Sequence, residues 1–224
     1  MKIIMIAFFS LLSSLVYPQD CNTYYFFQNN KTIEMTIYNK KGEANGRQIY
    51  TVSDVNNSGG IVTATVNSEM FDKKGKSIVK ATNVIKCANG IMMMDMKMNL
   101  PQTGKSESTD ANAKLSNVFI EYPASMQTGD ELKDASMQMD IESNGMKQSI
   151  DMQVINRKVQ GKESVTTTAG TWDCYKITNN TKMKIKTMGI GMPMNIENTE
   201  WFAPGFGVVK SESKSGGTAI TAIH

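Results

Sequence analysis

Residues 32–42, Thr-Ile-Glu-Met-Thr-Ile-Tyr-Asn-Lys-Lys-Gly, alternate apolar and polar side chains and then end in a turn sequence. In an extended strand Met35 and the two isoleucines beside it lie on one face, and the polar residues between them lie on the other. Asn39 at the turn start and Gly42 at its left-handed position are typical of a type I turn with a bulge. The stretch therefore predicts a half-buried strand that ends in a β-hairpin.

The same alternation recurs along most of the remaining chain. A second turn signal at residues 72–75, Asp-Lys-Lys-Gly, repeats the chemistry of the first. Apolar residues at helical spacing are rare, residues 101–114 predict a polar loop, and residues 115–122 fit either a short helix or a strand. Further strands are predicted at residues 49–52, 61–66, 78–85, 147–159, 163–168, 172–188, 195–202 and 208–213.

Strands at intervals of roughly 8–12 residues, separated by turn signals, are typical of barrels and sandwiches. The pattern predicts an all-β fold, a single antiparallel β-barrel or strongly curved sheet. No Pro/Ser-rich linker divides the chain. We therefore expect one β-barrel-like domain over residues 20–224, after a signal peptide at 1–19.

The leader supports export. Lys2 precedes an apolar core at residues 3–16, and Pro18-Gln19 ends that core before the polar Asp20. The apolar run is too short for a membrane span, and a retained anchor is the alternative. Gln19 is not a small residue of the kind favoured at cleavage sites, and the sequence before Cys21 is a poor lipoprotein signature. We expect a protein of the periplasm or the extracellular space, without a membrane span in the mature chain.

Composition and missing motifs restrict the function. The net charge is only +3 over 224 residues, which argues against dedicated nucleic-acid binding. The one histidine is the C-terminal His224, so a Ser-His-Asp triad is improbable, and no P-loop, HExxH, CxxC or dinucleotide fingerprint is present. We predict a protein that is not an enzyme, with no catalytic residues, no cofactor and no metal site.

The mature chain carries three cysteines, Cys21, Cys87 and Cys174. In an oxidising compartment one disulfide and one leftover thiol is the simplest outcome. If the strands form a meander, Cys21 before the first strand and Cys87 at the end of the fourth lie at the same end of the sheet. This pairing is slightly preferred, although Cys174 could reach the same end.

Methionine is unusually frequent, with 18 residues. Alternation along one strand predicts that Met92, Met94, Met96 and Met98 point into the interior, and that Asp95 and Lys97 face solvent. Met188, Met192 and Met194 cluster around a predicted Gly-Ile-Gly-Met-Pro turn. The methionines proposed to line a ligand site are Met92, Met94, Met96, Met98, Met137, Met139 and Met152.

Three interpretations of these methionines remain open. They fill the core, or they line an adaptable apolar cavity for a lipid-like ligand, since flexible Met surfaces suit such binding. The third interpretation is soft-metal binding, because thioethers select Cu(I). Copper sites, however, usually combine Met with His or Cys, and this chain has few of either.

A separate run, Lys182, Lys184 and Lys186, alternates with apolar residues and predicts three ammonium groups on one face of a strand. This face is either solvated, or it is a site for an anionic headgroup or an acidic polymer.

Several segments resemble a known family. They are residues 201–210, Trp-Phe-Ala-Pro-Gly-Phe-Gly-Val-Val-Lys, residues 168–177, Thr-Ala-Gly-Thr-Trp-Asp-Cys-Tyr-Lys-Ile, the early Cys21, and residues 83–87, Asn-Val-Ile-Lys-Cys. Together they resemble the TapB-like family of exported bacterial proteins of unknown function. The resemblance covers most of the mature chain, and its motifs describe turns and strand starts. It implies a compartment and a fold class but no chemistry.

Two functional hypotheses follow. The first is an exported, non-enzymatic envelope protein that binds an apolar or lipid-like ligand against the methionine stripes, by fold-level analogy with lipoprotein carriers of the LolA type. The second is a structural or assembly factor with a filled core, which acts through its surface on another envelope component.

Overall fold

The computed structural model of the protein describes residues 21–99, 118–143, 146–187 and 190–224. These residues form antiparallel β-strands and three short 3-10 helices, Cys21–Thr23, Tyr25–Phe27 and Met96–Asn99. The strands are β1 (Thr32–Asn39), β2 (Ala44–Ser58), β3 (Ile61–Asp72), β4 (Ser77–Ala88), β5 (Ile91–Asp95), β6 (Phe119–Pro123), β7 (Glu131–Leu132), β8 (Ala135–Ser143), β9 (Met146–Thr167), β10 (Gly170–Thr187), β11 (Ile190–Ala203), β12 (Gly207–Ser213) and β13 (Gly216–Ile223).

The strands join in one curved sheet that forms a nearly closed barrel. Neighbours follow in the order β6-β5-β4-β3-β2-β1-β13-β12-β11-β10-β9-β7, and β8 pairs with β9 on the same edge as β7. Sequential strands pair as hairpins from β1 to β6 and from β8 to β13, and the C-terminal strand β13 also pairs with β1. β7 pairs only with β9. The predicted antiparallel β-barrel or strongly curved sheet is confirmed.

The two predicted hairpin turns have the expected chemistry. The Asn39 carboxamide oxygen accepts hydrogen bonds from the backbone N–H of Lys41 and Glu43, at 2.8 and 3.1 Å, and Gly42 has φ +76°. Asp72 accepts equivalent bonds from the second and fourth residues after it, and Gly75 has φ +80°. Both turns therefore follow from local side-chain hydrogen bonding and from a glycine in a conformation that disfavours a Cβ atom.

One end of the barrel is filled by the first described residues. Tyr24, Phe26 and Phe27 are buried in the core, and the Tyr25 ring stacks on Phe206 at 5.3 Å between centroids. The Tyr25 hydroxyl donates to the C-terminal carbonyl of His224 at 2.7 Å. Aromatic burial of this kind anchors a segment that lacks strand pairing of its own.

The remaining gap lies between β6 and the edge formed by β7 and β8. Arg157 of β9 spans it, because its Nη1 donates to the carbonyl oxygens of Glu121 at 2.9 Å and Lys133 at 3.0 Å. The Lys133 ammonium also pairs with the Glu121 carboxylate at 2.7 Å. We call this contact the seam: Arg157 with the two residues that it joins. Side chains therefore close the barrel where backbone pairing stops.

Some strand boundaries differ from prediction. β11 begins at Ile190, so Met192, Pro193 and Met194 lie in a strand and the predicted turn over these residues is wrong. Proline is tolerated in edge strands, and among the described residues this part of β11 pairs with β10 alone. Within 115–122 the described part contains β6, which favours the strand alternative. The leader 1–19, the loop 101–114, and Met188 and Gly189 of the predicted methionine cluster and turn lie outside the described residues.

Candidate functional site

The inner face of β8–β11 carries two rows of apolar side chains. Strand register places Met137, Met152, Met183 and Met194 side by side in the first row. The second row, two residues further along each strand, is Met139, Ile150, Ile185 and Met192. We call these eight residues the methionine rows. Because cross-strand neighbours on one face are in contact range, they form a continuous apolar surface of flexible side chains.

The rows run from the interior to solvent. Met152 is 2% exposed, whereas Met192 is 70% exposed and Ile190, beside it on β11, is 76% exposed. Pairing of β11 with β12 begins only at Asn198, so residues 190–197 form an edge with no β12 partner among the described residues. An apolar face that continues into solvent at a free edge is a candidate for binding rather than for packing alone.

The predicted site methionines separate into two groups. Met137, Met139 and Met152 belong to the methionine rows, and Met96 and Met98, both buried, lie on the 3-10 helix that contacts β8. Met92 lies elsewhere in the core, where it is fully buried between its cross-strand neighbours Cys87 and Tyr122. Met94 is only partly buried and packs against the same core.

The predicted stripe through β5 is wrong in one respect, because Asp95 is 4% exposed and does not face solvent. The strand ends at this residue and the chain turns into a 3-10 helix, which breaks the alternation. The Asp95 carboxylate accepts from the Lys97 N–H at 2.9 Å and pairs with the Lys97 ammonium at 3.2 Å. Its burial follows from this capping role.

Sequence analysis missed Met183, Ile150, Ile185 and Met194 as partners of the predicted residues. Their alternation along β9–β11 was visible, but which strands are neighbours was not. Lys182, Lys184 and Lys186 occupy the opposite, outer face of β10 and are exposed, as their alternation predicted. The β10–β11 hairpin is therefore apolar on one side and cationic on the other.

A polar cluster lies inside the barrel next to the rows. The Tyr122 hydroxyl donates to the Glu200 carboxylate at 2.9 Å, and the Tyr122 ring stacks on Phe202 at 4.8 Å. The Arg157 guanidinium lies over the Tyr122 ring at 4.8 Å from its centroid. Burial, and then the Glu200 charge, raise the pKa of Tyr122 well above its ordinary value, while Arg157 acts in the opposite direction. Tyr122 therefore remains a neutral hydrogen-bond donor.

Residues 168–177 and 201–210, two of the segments that carry the family resemblance, meet at a cavity of about 390 Å³. Trp172 and Tyr175 line it from β10, Ala203 and Pro204 from the end of β11, and Lys162 from β9. Burial alone would raise the pKa of Tyr175, but the Met126 N–H hydrogen bond and the Lys162 ammonium outweigh it and lower that pKa. The two segments therefore lie against each other at this cavity.

The cysteines behave as predicted. Cys21 and Cys87 form a disulfide with a Cα–Cα distance of 5.6 Å, which confirms the preferred pairing. Cys174 is a free, buried thiol. Burial, followed by the charges of Asp173 and Glu163, raises its pKa to about 12.

We expect the Cys174 thiol to be inert in the folded protein. With a pKa of about 12, only about one molecule in ten thousand carries the thiolate at pH 8. A colorimetric thiol reagent should detect no fast reaction in buffer and one thiol per chain in denaturant. Rapid labelling of the native protein would show that this part of the barrel opens readily.

The described part of the chain contains no cluster of three or more His, Cys, Asp or Glu side chains arranged to hold a metal ion. Within the same residues, no helix is both long enough and apolar enough to cross a membrane.

Comparison with known proteins agrees with the fold. Residues 28–220 match the DUF3108-like family. The chain belongs to this family. No curated protein matches the sequence.

Two solved structures are similar to this DUF3108-like protein over most of their length. One is a candidate exported protein with a YmcC-like fold from Bacteroides fragilis, at 21% identity and a TM-score of 0.71, covering 88% of this chain and 96% of that one. The other is a candidate lipoprotein from Parabacteroides distasonis, at 23% identity and a TM-score of 0.72, covering 92% and 100%. At these identities the likeness concerns the fold alone.

Proposed function

We propose that the protein is an exported, non-enzymatic envelope protein that binds a lipid-like apolar ligand on the methionine rows. The observation that carries this proposal is the gradient of burial along one continuous face, from Met152 inside the barrel to Met192 and Ile190 in solvent. A filled core has no need of a large apolar surface that continues outward. Unbranched, polarisable Met side chains adapt to an acyl chain of variable shape.

Export is supported independently of ligand binding. The leader has a basic start and an apolar core, and the Cys21–Cys87 disulfide fits an oxidising compartment. The two solved neighbours are described as a candidate exported protein and a candidate lipoprotein. The finer assignment to the TapB-like family stays a prediction that rests on the segments quoted above.

The proposal is tested by mass spectrometry of the protein isolated from the cell envelope under native conditions. The intact mass should lack the leader, and a lipid should co-purify. Binding of an apolar dye should saturate and be displaced by a long-chain lipid. Absence of lipid together with absence of dye binding would favour the alternative, an assembly factor that acts through its surface.

A pair of variants on the same hairpin separates the two faces of β10–β11. Met192→Glu places a charge on the apolar face, and the protein should still fold because Met192 is exposed. The variant should bind the dye about tenfold or more weakly, since an unpaired carboxylate against an apolar ligand is unfavourable. Lys184→Gln on the outer face should leave the dissociation constant unchanged. Equal effects of the two variants in a fluorescence titration would contradict binding on the methionine rows.

A further inference from the structure

Among the described residues, four buried side chains have a polar atom without a hydrogen-bond partner: Tyr24, Asn83, Arg157 and Asn179. Only Arg157 and Asn179 lie beside each other, on the paired strands β9 and β10. Arg157 is 1% exposed and Asn179 is 3% exposed. Nη1 of Arg157 is used at the seam, but its Nε and Nη2, and Nδ2 of Asn179, have no hydrogen-bond partner among the residues that the structure describes. Buried donors are nearly always satisfied, so these three nitrogens indicate an acceptor that binds between them.

A β-bulge brings the two side chains together. In the pairing of β9 with β10, Lys158 lies opposite Thr178 and Ile155 lies opposite Asn180. Two residues of β9, Asn156 and Arg157, therefore stand against the single residue Asn179. The bulge turns Asn156 outward with φ +55° and leaves Arg157 on the inner face, next to Asn179.

The nearest buried carboxylate does not satisfy these donors. Glu200 accepts from the Tyr122 hydroxyl at 2.9 Å and from Nδ2 of Asn198 at 3.3 Å, one bond on each oxygen. Over the described ranges, no carboxylate lies within ion-pair distance of Arg157. Apart from the contact with Tyr122, the guanidinium therefore has N–H donors left for an oxygen-rich group.

The donors lie at the inner end of the methionine rows. On β9 the buried positions beyond Arg157 are Val154, Met152 and Ile150. Seven residues at about 3.3 Å each span roughly 23 Å, which suits a long acyl chain. Asn198 and Ser213, on the neighbouring strands β11 and β12, are half-buried.

We propose that Arg157 and Asn179 bind the oxyanion head of a long-chain amphiphile whose acyl chain lies along the methionine rows. This rests on the proposed function and adds the class of ligand. The guanidinium offers two N–H groups in a planar fork that matches a carboxylate or phosphate, and the Asn179 carboxamide offers a third donor. Burial strengthens these bonds because water does not compete.

The experiment compares three probes that differ in the head group: palmitate, hexadecyl phosphate and hexadecanol. The wild-type protein should bind at least one of the two anions about tenfold or more tightly than hexadecanol. The stronger anion then identifies carboxylate or phosphate as the preferred head. This ratio is measured on the unaltered protein, so it does not depend on whether any variant folds.

Asn179→Asp tests the assigned residues. It places a carboxylate beside Arg157 and should abolish the preference for anions while hexadecanol binding is retained. Asn180→Asp, the same change on the opposite face of β10, is the control and should leave the preference intact. Circular dichroism verifies that both variants fold.

The outcomes distinguish this inference from the proposed function. If hexadecanol binds as tightly as both anions, or if Asn179→Asp leaves an anion preference unchanged, water satisfies the donors and the head-group assignment is overturned, while lipid binding stands. If none of the three probes binds, the proposed function fails and this inference fails with it.

Discussion

Arg157→Met is expected to destabilise the protein by about 3–5 kcal/mol, because two hydrogen bonds from the buried guanidinium join the two edges of the barrel. The substitution removes charge-assisted hydrogen bonds to the carbonyls of Glu121 and Lys133, and each is worth roughly 1.5–3 kcal/mol. It also leaves two carbonyl oxygens at the seam without this donor. Chemical denaturation followed by circular dichroism measures the loss as a lower midpoint at an unchanged slope.

The chain's other arginine, Arg47, is the matched control. Its guanidinium pairs with Glu34 at 3.1 Å on the barrel surface, and its side chain is 43% exposed. Exposed ion pairs of this kind contribute about 0–1 kcal/mol, so Arg47→Met should shift the midpoint only slightly. Equal losses for the two variants would show that the seam is not closed by Arg157.

Removal of the disulfide by Cys21→Ala with Cys87→Ala should cost about 4 kcal/mol. The bridge closes a loop with a sequence separation of 66 residues, and loop-closure entropy gives this magnitude. It also holds the segment that carries Tyr24, Phe26 and Phe27 into the core. Reduction of the wild-type protein should lower the denaturation midpoint by a similar amount.

Cys174→Ala is the control for the loss of a cysteine as such. This thiol is buried but forms no bridge, so the change should cost only about 1 kcal/mol through a small cavity. Hydrogen exchange should localise the difference, with faster exchange at residues 24–27 in the double variant only. An unchanged midpoint after full reduction would mean that the aromatic packing holds this segment without the bridge.

Much of the local structure was predictable from the residues. The period-2 alternation at residues 32–37 and the Asx-to-Gly turns after Asn39 and Asp72 depend on neighbours within a few positions, and they appear as predicted. The Cys21–Cys87 pairing followed from the assumption of a meander, which holds for β1–β5. The exceptions, Asp95 and the start of β11 at Ile190, occur where a strand ends or lacks a neighbour.

The sequence by itself determined most of the strands, the Asx-to-Gly turns and which side chains share a strand face, but it missed β13 and the start of β11. These properties are local, since they depend on backbone alternation and turn chemistry. Only the tertiary structure decided that four methionines from four strands stand in one row, and that a bulge sets Arg157 against Asn179. Register and burial depend on contacts between residues far apart in sequence, and alternation within one strand carries no information about its partner.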